Sequence, residues 1–76
     1  MWRICWPWHT WLDVIAVLRE SAEAYNRQHA GLIQARLDET PADVAEPCLS
    51  LTDDVVLRSV NVAGVRLGLR LPDRGG

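Results

Sequence analysis

All four tryptophans of this 76-residue chain fall within its first eleven residues, at Trp2, Trp6, Trp8 and Trp11, with Pro7 breaking the run. Each indole carries roughly 150–250 Å² of surface that has to be hidden somewhere. A chain this short forms one domain at most, and barely buries enough apolar area to offset the entropy of ordering itself. The amino end therefore folds over the rest of the molecule, seats on another protein, or lies in a lipid headgroup layer. Tyr25 is the only other aromatic residue, so no second cluster competes for the role.

Residues 1–9 read as an extended or turn-like arm around Pro7. Thr10-Trp11-Leu12-Asp13 then has the form of a capping box, a hydroxyl and a carboxylate three residues apart, and opens a helical segment over 10–38. Trp11, Ile15, Leu18, Ala22, Tyr25, His29 and Leu32 step alternately by four and three, which places them on one helical stripe. Asp13, Glu20, Glu23, Arg27 and Gln34 fall mostly off that stripe, and Glu23 with Arg27 makes a favourable pair one turn apart. The spacing predicts one long amphipathic helix, about 11–37, with Gly31 as the place where it can break. At 1.5 Å per residue such a helix is about 40 Å long, more than a chain of this size needs for itself.

Thr40-Pro41-Ala42-Asp43 offers a cap, a proline at the first helical position and an acid in the first turn, so 40–54 reads as a short helix or loop closed by Pro47. The carboxy-terminal third changes period. Val65, Leu67, Leu69 and Leu71 alternate with Arg66, Gly68 and Arg70, after Val56, Val60, Val62 and a turn-like Ala63-Gly64. This two-residue period predicts a β-hairpin over 55–71, pairing roughly 55–62 with 65–71, and Cys48 to Leu51 can add a third short strand. A helix over 53–60, capped at Thr52-Asp53-Asp54, competes with the first hairpin strand. Residues 72–76, after Pro72, read as a loose tail. The fold class expected is α+β in a single small domain, a long N-terminal helix followed by a C-terminal hairpin.

Charge is unevenly spread. Residues 1–54 hold four arginines against nine acids, and 55–76 hold four arginines against Asp73 alone, so the formal net charge of −2 divides into −5 and +3. Such polarity can orient the protein on a partner or on another copy. Arg58, Arg66 and Arg70 are the candidate contacts for an anionic partner, since a hairpin face carrying them can track phosphates. An acidic chain whose aromatics lie far from those arginines argues against nucleic acid as the main partner.

Catalytic chemistry finds no foothold. Neither cysteine nor histidine is set in a glycine turn or flanking signature of an activated nucleophile, and no glycine-rich phosphate loop is present. Cys5, His9, His29 and Cys48 match no compact zinc spacing, so neither a metal nor a cofactor is expected. One long-range disulfide between Cys5 and Cys48 is possible in an oxidising compartment, but with no convincing export signal they are read as two free thiols packed as small apolar side chains. Arg3, the apolar stretch from Ile4 to Leu18 and Ala22-Glu23-Ala24 imitate a signal peptide, but Pro7, His9 and Asp13 interrupt the core. The same stretch is too short and too interrupted to span a bilayer, which takes about 20 apolar residues.

The ending LRLPDRGG resembles the LRLRGG ending of ubiquitin over its last eight residues, which would imply a conjugated diglycine carboxylate. Pro72-Asp73 departs from that pattern, and a helix-first element order departs from the hairpin-first ubiquitin fold. Arg-Gly-Gly endings arise readily in arginine- and glycine-rich coding, and the ending is read that way here.

The functional expectation is a non-enzymatic interaction or assembly protein. It docks through Trp2, Trp6, Trp8, Trp11, Ile15, Leu18, Tyr25 and Leu32 onto a larger protein or its own copies. All eight basic residues are arginine, and lysine and phenylalanine are absent, which fits high-GC coding. With the small size, this points to a phage-type component, a virion protein or an inhibitor of a host protein, cytoplasmic or virion-associated. A peripheral membrane-surface protein held by the tryptophan segment is the alternative from another class, and a small arginine-hairpin nucleic-acid binder is a third.

Overall fold

In the computed structural model, which describes residues 2–69, the chain runs β1 (Trp2–Cys5), α1 (Trp8–Glu20), α2 (Ala24–Asp38), β2 (Cys48–Leu51) and α3 (Asp54–Arg66). The α+β class stands. The single long helix does not, and neither does the carboxy-terminal hairpin.

The first helix starts earlier than expected, at Trp8, with Pro7 in the capping position and Thr10 inside the first turn as a buried residue. Pro7 suits that place because its carbonyl accepts the Thr10 and Trp11 amides, at 3.0 and 3.1 Å, while its own nitrogen has no proton to leave unpaired. The helical stripe then breaks at Ser21, not at Gly31, which sits inside α2. Ser21 is extended, with ψ 142°, and its hydroxyl accepts from the Glu23 amide (3.2 Å) and from Asn26 Nδ2 (2.8 Å). A serine side chain that offers the backbone a partner outside the helix competes with helix continuation, and here it wins. The corner lets α1 and α2 pack on each other as a helical hairpin.

Breaking the helix also shifts the phase of its apolar face. Trp11, Val14, Ile15 and Leu18 are buried on α1, and His29, Ala30, Ile33 and Leu37 on α2. Tyr25 and Leu32, on the stripe expected from spacing, are instead about half exposed, at 47% and 57%.

Residues 54–66 form α3 where a hairpin was expected. Asp53 decides it locally: its carboxylate accepts the Val55 amide at 2.9 Å, and Asp54 adds a negative charge to the first turn. Val56, Leu57, Val60, Ala63 and Gly64 then face the core at helical spacing. The competing helix over 53–60 is therefore the one formed, and it runs six residues further. It ends in a Schellman motif, with Leu69 N–H on the Gly64 carbonyl (2.8 Å) and Gly68 N–H on Val65 (3.1 Å), and Gly68 at φ 72°. Leu69 packs against the core behind that turn.

Cys48–Leu51 is a strand, but its partner is the amino-terminal arm. β1 and β2 are antiparallel, with Trp2 opposite Leu51, Arg3 opposite Ser50, Ile4 opposite Leu49 and Cys5 opposite Cys48. That register sets the two sulfurs face to face, and they form a disulfide across 43 residues. The expectation of two free thiols is thereby corrected: strand pairing across most of the chain, invisible to local spacing, brings them together. Residues 40–47 make turns and no helix, with Val44 N–H on the Pro41 carbonyl.

Candidate docking groove

Trp6, Trp8 and Trp11 turn inward, and the last two hold the loop at residues 44–47. Trp11 is completely buried and donates its indole N–H to the Pro47 carbonyl at 2.9 Å. Trp8, half-buried, donates to the Val44 carbonyl at 2.6 Å. Trp6 is buried with its ring centroid 4.8 Å from that of Trp11, tilted by 53°. Two indoles thus grip residues 44–47 and contribute tryptophan's area and polar tip together. Ile15 and Leu18 are also buried, at 2% and 3% exposure. The side chain of Trp2 lies outside the described residues. Of the expected contact residues whose side chains are described, Tyr25 and Leu32 alone are well exposed.

The open surface lies elsewhere. A groove of about 440 Å³ runs between the α1–α2 corner and α3. Its apolar walls are Val17, Tyr25, Val55 and Val62, and Arg58 and Arg66 line it against a single carboxylate, Glu23. Two of the three arginines singled out from the sequence are therefore brought to one face, by a helix rather than a hairpin; Arg70 lies outside the described residues. Val55, Val62 and Val65 of α3 are 51%, 61% and 69% exposed. Leu32 belongs to a separate, smaller cleft of about 140 Å³ beside β2, with Arg36 and Asp53. The Glu23 carboxylate at the Tyr25 hydroxyl, with some loss of water around the ring, holds the Tyr25 phenol above its ordinary pKa.

The groove floor is polar and saturated. Ser59, buried in the second turn of α3, has its Oγ 3.0 Å from His29 Nδ1, 2.9 Å from Asn26 Oδ1 and 3.1 Å from the Val55 carbonyl. Asn26 passes the chain on to Ser21. A serine beside a histidine suggests a nucleophile and its base, but Ser59 lacks the rest of that machinery. Its neighbouring amides are spent inside a helix, leaving no donors for an oxyanion, and its hydroxyl is engaged by partners on two helices. The arrangement ties α2 to α3. Among the described residues no group of three or more histidine, cysteine, aspartate or glutamate side chains could hold a metal ion, and Cys5 and Cys48 are bonded to each other. No helix among them is long and apolar enough to cross a membrane.

The outer valines were missed in the sequence because 55–62 was read with a strand period, although Val55, Arg58, Val62 and Val65 already step by three, four and three. Comparison with protein-family models, with curated proteins and with solved structures gave no match to this chain.

Proposed function

We propose that this chain is a non-enzymatic interaction protein that docks on a protein surface through the outer face of α3 and the groove beside it. The observation that carries this reading is the run of Val55, Val62 and Val65, each more than half exposed on one short helix. Scattered exposed apolar residues need no explanation, but three valines on one helix face, with Arg58 among them and Arg66 beside them, have the composition of a contact patch. The core does not need these valines. Among the described residues every buried side-chain nitrogen and oxygen has a hydrogen-bond partner, and fifteen hydrophobic residues already form the buried cluster. This reading favours α3 over the tryptophans, whose described indoles are used in folding.

A photo-crosslinking residue at position 62 tests this in cells expressing the protein, with the same residue at position 12 as the exposed control. Discrete protein adducts from position 62 and none from position 12 support docking through α3. Equal adducts from both, or none from either, overturn it.

A further inference from the structure

We infer that the occupant of the α3 face is a second copy of this chain, its own α3 lying antiparallel across a two-fold axis. This rests on the proposed docking face and names what covers it. The argument is the self-complementarity of the helix. Val55, Arg58, Val62 and Val65 are all exposed and step by three, four and three, the seam spacing of paired helices. Measured from residue 60, midpoint of Asp54–Arg66, the exposed residues come in equidistant pairs. Asp54 and Arg66 lie six residues to either side, Val55 and Val65 five, and Arg58 and Val62 two.

A two-fold axis at the level of residue 60 therefore sets Val55 against the partner subunit's Val65 and Arg58 against the partner subunit's Val62. It also sets Asp54 against the partner subunit's Arg66, and the symmetry makes every one of these contacts twice. The charges at the two ends attract, and the valines close the middle. Arg58 lays its aliphatic stem along the opposing valine and keeps its guanidinium at the rim. The two Arg58 groups sit about 6 Å apart along the axis at 1.5 Å per residue, and their repulsion limits the affinity. Val17 and Tyr25, on the groove side of α3, extend the contact beyond the helix itself. One 13-residue helix and its groove wall give an interface near the lower bound of about 1,000 Å² for specific pairs, so a micromolar dimer is expected.

Sedimentation equilibrium of the intact, oxidised chain between about 1 and 500 µM brackets that affinity. Wild type is expected to pass from monomer to dimer, and Val62→Asp to weaken association about tenfold or more. Asp54→Arg alone and Arg66→Asp alone each place like charges at both ends and are expected to be monomeric across the range. Mixed in equal amounts they restore opposite charges at both ends and are expected to form a one-to-one heterodimer. Circular dichroism and tryptophan fluorescence verify that each variant is folded. A wild type that stays monomeric, a dimer indifferent to Val62→Asp, or single variants that fail to recombine while folded overturns the inference. Position 62 still crosslinking to a different protein would then leave the docking face standing with another occupant.

Discussion

Ser59 is the residue on which the packing of α2 against α3 turns. Its hydroxyl is shared among His29, Asn26 and the Val55 carbonyl, so removing it leaves the buried His29 ring nitrogen without its partner. Ser59→Ala is expected to cost about 1–3 kcal/mol, the penalty of unsatisfied buried polar groups, read as a lower urea midpoint. Trp11→Phe removes the indole donor and leaves the Pro47 carbonyl to the longer Trp6 amide bond at 3.4 Å, and a loss of about 1 kcal/mol is expected in the same assay. Tyr25, the single tyrosine, gives a clean ultraviolet titration. Its midpoint is expected above 10.0, and Glu23→Gln should bring it down. The sign follows from linkage. A phenol that holds its proton more tightly when folded contributes stability in full below the unfolded value near 10, and loses it as pH rises through the higher folded value. None of these three roles is announced by its immediate neighbours in sequence.

Elements were legible to different degrees. The strand at Cys48–Leu51 and the amphipathic segment from Trp11 to Leu18 follow from local period alone, and the structure keeps both. The period of 55–71 misled because valine suits strands, and because a run of Val65, Leu67, Leu69 and Leu71 alternates whatever the backbone does. The ends of α3 resolve the ambiguity, since Asp53 caps its start and Gly68 closes its finish. Asp53→Ala should therefore cost about 1 kcal/mol through the lost cap. Gly68→Ala should cost about 1 kcal/mol as well. Nothing lies within 4 Å of a methyl group there, so the loss comes from the left-handed backbone alone. Thermal unfolding of the two variants measures both. If Gly68→Ala were neutral, the Schellman ending would not be what stops the helix.

At the scale of the molecule, the decisive contact joins residues 43 or more positions apart in sequence: β1 pairs with β2, and the disulfide Cys5–Cys48 clamps the pair. Closing a loop of 43 residues removes denatured-state entropy equivalent to about 4 kcal/mol, which is a large share of what so small a domain can muster. Reduction by a phosphine, or Cys5→Ser with Cys48→Ser, is expected to lower the unfolding free energy by that order, seen as a lower urea midpoint in tryptophan fluorescence. An unchanged midpoint would show that the strands hold without the bond. The sequence by itself determined the class, the amphipathic segment from Trp11 to Leu18, the second strand, and the need for four indoles to be covered, because these depend on composition and on neighbours a turn or a strand step apart. Only the tertiary structure decided what covers the three described indoles, why the first helix bends at Ser21, that the cysteines meet, and that arginines and valines share the outer face of α3. Each of those depends on groups distant in sequence competing for one partner or one space, and no local pattern records the outcome of that competition.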